Sequence, residues 1–358
     1  MSVFLDRHVL RQAQDLVAEE KLDEAAHILE AFAGDDAQAP ADKPEKYFWR
    51  DAADCARRAG LVDDALRLWD RARKAGLEDA IVRLEETVTL LMGARFEQAL
   101  ELAEALAVEQ PRNAIVANLR AIALLECGRG PAALEEWDRC LKYSAQIECP
   151  LSTHPYYLSL GVMALERWLL EHDKADESGE SEHLTALDPD AAELMPGKKP
   201  AGARFAKIEA ALEARQTELA LRWINAELRA TEKPDPWLRV LRGSALGELG
   251  HWSMARRNLA AALIEERPEP LAVTFYAYCL HRDGDSGMAL RVLDGCGSVG
   301  PDDYFHHYFR GCAWMGLGKR PQAIIQFQKA FQLFFFDNYH SLVLPTWKKA
   351  VRLIRSSC

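Results

Sequence analysis

The chain of 358 residues is short of several things that would have pointed elsewhere. Its eight cysteines, at 55, 127, 140, 149, 279, 296, 312 and 358, form no C-x-x-C pair and no paired spacing, so neither a zinc site nor a disulfide framework is indicated. Long apolar runs are missing: the strongest stretch, 331–336, is broken by Gln332 and falls far short of the roughly 20 residues of a membrane span. Positive charge is in deficit, with 44 Lys and Arg against 55 Asp and Glu and a formal net charge of -11. That balance disfavours a life on nucleic-acid phosphates or anionic lipid. Residues 1–20 carry Asp6 and Arg7 and so lack the uninterrupted apolar segment of a signal peptide. Together these deficits predict a cytoplasmic protein with buried thiols as small apolar fillers and with neither membrane nor nucleic acid as partner. Hydrophobic residues at 49% and charged residues at 28% suit a folded chain.

What the chain does have is a period. Gly250, Gly284 and Gly318 are each followed five residues later by Ala255, Ala289 and Ala323, an interval of 34 both times. Twelve residues before each alanine stands another small residue, Gly243, Ala277 and Gly311. In the N-terminal half Ala65, Ala99 and Ala133 keep the interval, with Gly60 and Gly128 five residues before the first and third and Trp69 and Trp137 four after them. The middle unit departs, with Gly93 one place early and Ala103 where the tryptophan would be. The unit reads as two helices, with small residues at a close approach and a glycine ending the first helix in the left-handed conformation. In the second, Ala133, Leu134, Trp137, Cys140 and Leu141 fall on one stripe. No stretch alternates apolar and polar residues over a strand length, so a sheet has no support.

These residues resemble the tetratricopeptide repeat family, a 34-residue helix-turn-helix. Gly311, Trp314, Gly318, Ala323, Phe327 and Ala330 match its pattern most closely, followed by Trp49, Ala53, Gly60, Ala65, Trp69 and Ala72. The match covers roughly 46–147 and 236–337. Residues 9–32 look like one more unit, separated by an insertion with Pro40 and Pro44, and 202–229 like a degenerate one without the turn glycine. The resemblance implies an all-α superhelix, a solenoid of about seven to eight helix-turn-helix repeats. N-terminal repeats are expected over 1–147, a long helix plus acidic insertion over 148–200, C-terminal repeats over 201–337 and a capping helix over 338–358. In the insertion, 171–193 holds nine acids against one lysine, the pattern of a solvated segment.

Motifs of chemistry are scarce. The string Gly295-Cys-Gly-Ser-Val-Gly300 follows a repeat's second helix and leads into Pro301, whereas a dinucleotide fingerprint follows a strand and opens a helix. It reads as a loop. His306 and His307 are adjacent on a helix and point in different directions, so they make no metal pair. There is no G-x-S-x-G, no P-loop and no H-E-x-x-H. No catalytic, cofactor or metal residue is predicted, and the expectation is a non-enzymatic scaffold or adaptor.

The resemblance also implies where a protein or peptide segment would bind, since in that family the inner face of each first helix lines a groove. By position this selects Trp237, Thr274, Tyr278, His281, Arg282, Tyr308 and Met315 in the C-terminal repeats, and Arg50 and Arg57 in the N-terminal ones. Phe275, Phe305 and Phe309 fall on the same face, but aromatic stripes at helical spacing usually pack as core. Tyr278, His281 and Tyr308 carry polar tips that suit a wet groove. The family's carboxylate clamp wants lysine and asparagine at its fifth and ninth places; here stand Arg50 and Asp54, then Leu84 and Val88, then Asn118 and Ile122, so that pattern is not met. A nucleic-acid-binding helical repeat and a regulatory subunit of an enzyme complex stay open as alternatives. The oligomeric state is not legible.

Overall fold

The computed structural model describes residues 7–34, 45–143, 155–172, 201–214, 216–230, 235–263, 270–295, 303–334 and 351. The acidic stretch after residue 172, the glycine loop beyond Gly295 and, apart from residue 351, the expected capping helix lie outside the described residues. Among the described residues, the regular elements are all helices: α1 (Arg7–Ala18), α2 (Leu22–Ala33), α3 (Glu45–Arg58), α4 (Val62–Lys74), α5 (Asp79–Met92), α6 (Phe96–Glu109), α7 (Ala114–Glu126), α8 (Gly130–Tyr143) and α9 (Pro155–His172). After them come α10 (Ala201–Glu213), α11 (Thr217–Ala230), α12 (Pro236–Glu248), α13 (Trp252–Ala262), α14 (Pro270–Arg282), α15 (Ser286–Gly295), α16 (Tyr304–Gly316) and α17 (Arg320–Phe334). The fold is an all-α array of helical pairs, as the period predicts.

Two sequence features build each pair. Gly60, Gly128, Gly250, Gly284 and Gly318 all adopt positive φ, between 73° and 91°, which lets the chain reverse at the end of a first helix without Cβ strain. At these turns the amide of the residue after the glycine donates back to the helix: Leu61 to Ala56, Arg129 to Leu124, His251 to Leu246 and Asp285 to Leu280, at 2.8–2.9 Å. Five residues after each glycine, the alanine seats the second helix. Ala25, Ala65, Ala99, Ala133, Ala220, Ala255, Ala289 and Ala323 are all completely buried. The third pair explains its own irregularity. Ala94, not Gly93, takes the left-handed turn, at φ 55°, while Gly93 admits Val62, whose Cγ1 would lie 2.7 Å from any added Cβ.

The chain divides into two compact units, one made of 1–169 and 318–358, the other of 170–317. In the first, α1 to α4 build one core around Phe32, Phe48, Trp49, Leu68 and Trp69. Buried indoles there find polar partners: Trp69 Nε1 donates to Thr89 Oγ1 at 3.1 Å and Trp137 Nε1 to Asn118 Oδ1 at 2.9 Å. The last described helix, α17, belongs to this unit: Ile325 joins its core, Arg320 bonds Glu126 and Lys329 pairs with Glu20. The second unit stacks α10 to α16, with Leu246, Trp252, Leu259 and Cys279 in one core and Ile208, Ala220, Ile224 and Leu238 in a neighbouring one. Cys55, Cys140, Cys279 and Cys312 are buried; burial pushes Cys55 and Cys279 up to about 12, which keeps them unreactive.

Candidate partner-binding surface

In the second unit successive first helices lie against one another, α14 beside α16. Aspartates set the starts of α12 and α16: Asp235 accepts from the Trp237 amide and Asp303 from the Phe305 amide, both at 2.9 Å, as N-caps do. Each therefore begins with an aromatic residue in fixed register. Rings of α13, α14 and α16 run on in contact. Trp252 meets Tyr278 edge-on at 5.5 Å, Tyr278 stacks on Phe309 at 4.6 Å, and Phe275 touches Phe309 at 5.4 Å and Phe305 at 5.7 Å. Of these, Phe275, Tyr278 and Phe305 are half-buried, whereas Phe309 is buried beneath them.

The residues selected by position separate under this geometry. Trp237 is half-buried, its Nε1 donating to Glu209 Oε1 at 2.8 Å. Tyr278 is half-buried on the aromatic run, and its hydroxyl lies 3.5 Å from Arg282 Nη1. Arg282 is itself buried, its guanidinium 4.6 Å from the Trp252 ring centre, a cation–π contact. Thr274 and His281 have no exposed surface, and Tyr308 and Met315 are also buried. Thr274 Oγ1 donates to the Leu271 carbonyl at 3.0 Å. His281 Nδ1 sits 2.9 Å from Ser286 Oγ; burial, and then the Arg282 charge, lower its pKa to about 3. Five of the named residues of these repeats, Arg282 among them, are thus buried; for Thr274 and His281 the polar tip that suits a groove also suits an internal hydrogen bond. Phe275 and Phe305, set aside as core, keep exposed surface. Hydrophobicity alone does not rank a residue within a stripe that is part core and part surface.

In the first unit Arg50 is exposed, bonded to Asp51 at 2.8 Å and placed 5.1 Å from the Tyr47 ring centre. Arg57 is buried, paired with Asp54 and Glu85, and stacked 4.7 Å from the Tyr156 ring centre. Burial opposes charge on Asp54, yet Arg57 and Arg58 outweigh it and hold that carboxyl below its ordinary range. Tyr156 is the more buried of two tyrosines opening α9, and the Asn118 side-chain amide donates to the Tyr157 carbonyl at 3.4 Å. The inner face around Arg57 is therefore occupied by α9, a return that no local pattern signals. A second charged group was not legible either: Glu126, buried, takes both Arg167 at 2.6 Å and Arg320 at 2.8 Å, and both guanidiniums lie 5.0 Å from the Phe96 ring centre. Among the described residues no group of three or more potential metal ligands occurs, and no helix is long and apolar enough to cross a membrane.

A tetratricopeptide repeat family model matches residues 10–84 and 90–141, the stretch whose turns and buried alanines are described above. Over those residues the chain carries tetratricopeptide repeats. Repeats of this family generally mediate protein–protein interaction. No curated protein sequence matches the chain. Solved structures to which the chain is similar include a tetratricopeptide repeat protein from Parabacteroides merdae, at 12% identity over 97% of this chain and 98% of that one, with a TM-score of 0.31. The Cut9–Hcn1 hetero-tetramer of the APC/C shares 13% identity over 93% of this chain, which spans 59% of that one, with a TM-score of 0.35. The tetratricopeptide repeat domain of P58(IPK) shares 13% identity over 98% of each chain, with a TM-score of 0.27.

Proposed function

We propose that the protein is a non-enzymatic adaptor that binds a segment of another protein across the aromatic surface of α14 and α16. The supporting observation is the run of touching rings from Trp252 to Phe305, with Phe275, Tyr278 and Phe305 half-exposed at its top. Large aromatic side chains of this kind bury much area for little lost rotamer freedom, which is the character of interface hot spots. Their seating on the buried Phe309 holds them in place before a partner arrives, and pre-ordered groups bind at lower entropic cost. The acidic net charge favours protein over nucleic acid as partner, and the absence of paired cysteine spacing suits a reducing compartment such as the cytoplasm.

The test is affinity capture with mass spectrometry, run side by side on the parent protein and on the double variant Tyr278→Ala with Phe305→Ala. Truncating a hot spot costs about 2 kcal/mol of binding, or roughly thirtyfold in affinity. Proteins captured by the parent and lost from a variant of unchanged melting temperature support the surface. Identical capture by a stable variant refutes it. A filter-binding assay with single-stranded RNA should show no retention at physiological salt.

A further inference from the structure

Charge and shape narrow what can lie on the aromatic surface. Neither α14 nor α16 contains an aspartate or glutamate, although the chain as a whole holds 55. The acids that border the two helices are already engaged. Asp283 takes Arg256 at 2.6 Å and the Ser253 hydroxyl at 3.2 Å, and Asp294 takes Arg310 at 2.9 Å. Asp285 accepts from the Met288 amide and Asp303 from the Phe305 amide, both at 2.9 Å. Of the two arginines on α14 and α16, Arg310 is thus paired, and Arg282 is buried against the Trp252 ring. A charged group laid over the exposed rings would lose hydration there without gaining an ion pair on either helix, so the face is matched by an uncharged occupant.

The rings also leave little room between them. Phe275, Tyr278 and Phe305 each touch the buried Phe309, at 5.4, 4.6 and 5.8 Å between ring centres, and Tyr304 continues the row at 4.1 Å from Phe305. Rings in contact at such spacings close the gaps into which a docking helix would insert its side chains. What they offer instead is a continuous aromatic platform with a half-buried tyrosine at each end, Tyr278 and Tyr304. The Tyr278 oxygen accepts from Arg282 Nη1 at 3.5 Å, so its own hydrogen points away from the guanidinium.

We propose that the platform of Phe275, Tyr278, Tyr304 and Phe305 binds a proline-rich segment of the partner protein in the polyproline II conformation. The assignment rests on the adaptor reading above and names the chemistry of its partner. Prolines bring no charge, and their rings lie on aromatic faces without a pocket between them. Their fixed φ leaves little freedom to lose on binding. A polyproline II segment has no internal hydrogen bonds, so its carbonyls can accept from the tyrosine hydroxyls. A helical segment, whose carbonyls are already bonded within the helix, has no such use for them.

Fluorescence anisotropy of labelled decaproline with the full-length protein tests this. The comparison probes are an uncharged glycine–serine peptide of the same length, an amphipathic helical peptide of leucine, glutamate and lysine, and oligouridylate. Decaproline is expected to bind best of the four, with an affinity unchanged by salt because no ion pair is involved. Tyr278→Ala with Phe305→Ala should weaken it roughly thirtyfold or more. Tyr278→Phe keeps the ring on Phe309 and should weaken it about fivefold through the lost hydroxyl; this variant serves where the double one does not fold. No binding of decaproline, or equal or tighter binding of any other probe, overturns the proline-rich assignment. Undiminished binding by Tyr278→Phe and, where it folds, by the double variant overturns the site. Captured proteins lost from the double variant while decaproline fails to bind would leave the surface in use and overturn only its occupant.

Discussion

Two residues occupy left-handed turns that their neighbours in sequence leave to glycine. Glu20 (φ 63°) and Ala94 (φ 55°) end first helices in the same way as Gly60 and Gly128, and for an L-residue this conformation costs about 1–2 kcal/mol. Ala94→Gly should therefore stabilise the first unit by about 1 kcal/mol, the relief of strain exceeding the extra entropy of the unfolded chain. Gly128→Ala should lose about as much, although nothing lies within 4 Å of the added Cβ, so the effect is conformational. Urea midpoints of the two variants moving in the same direction would refute this account. A second effect belongs to His281, completely buried with a pKa near 3, while an unfolded histidine titrates near 6.5. Between those values the unfolded chain binds the extra proton, so stability falls as pH drops from about 6.5 towards 3. His306, lowered by burial and then by His307, acts in the same sense. The loss assigned to His281 between pH 6.5 and 5 is about 2 kcal/mol. His281→Gln should recover most of it, as measured by denaturant unfolding at the two pH values; an equal loss in both proteins would exclude His281 as the source.

At the scale of the element, the pair of helices was legible because its constraints are local. A turn that needs positive φ selects glycine, and a helix that must approach within touching distance selects alanine, so Gly60, Gly250 and Gly284 with Ala65, Ala255 and Ala289 show the period. Ala94 and Glu20 were not legible as turns, because the strain they carry leaves no mark in composition. The aromatic face was legible as a stripe, but which rings stay exposed was not: that depends on neighbouring helices, as when Phe309 is buried under Tyr278 while Phe305 keeps exposed surface. Nor could spacing announce that Tyr156 returns to Arg57, 99 residues away in the chain. The close approach of elements makes its own prediction. A Cβ on Gly316, at the end of α16, would lie 2.2 Å from Ser286 Oγ and 2.9 Å from the His281 ring. Gly316→Ala should destabilise the second unit by about 1–3 kcal/mol, and Gly295→Ala, with nothing within 4 Å, should not. Equal melting temperatures for the two variants would show that α14 and α16 can part without cost.

At the scale of the molecule, the first unit is discontinuous, since α17 enters it after the whole of the second unit has been passed. Its anchor residues meet partners far away in sequence: Arg320 bonds Glu126, 194 residues earlier, and Lys329 pairs with Glu20, 309 residues earlier. A Cβ on Gly60 would come within 2.9 Å of Pro321 Cγ, so the helix also lies close over a repeat turn. The partners Glu20, Gly60, Phe96 and Glu126 sit at or next to the turns of the first four pairs, and one helix thereby ties together repeats that otherwise touch only their neighbours. Glu126 is the sensitive member, because it is almost wholly buried and shared by Arg320 and Arg167. Breaking a buried pair on one side leaves its charge under-compensated, at a cost of about 3–5 kcal/mol; with Arg167 still in place, Arg320→Ala should fall near the lower end. If α17 ties the unit into one cooperative body, hydrogen exchange in Arg320→Ala should quicken in α1, α3 and α7 together, although Arg320 touches only the last of these through Glu126. Quickening confined to α7 and α17 would instead mean that the first unit unfolds repeat by repeat, with α17 bound to it as an independent piece.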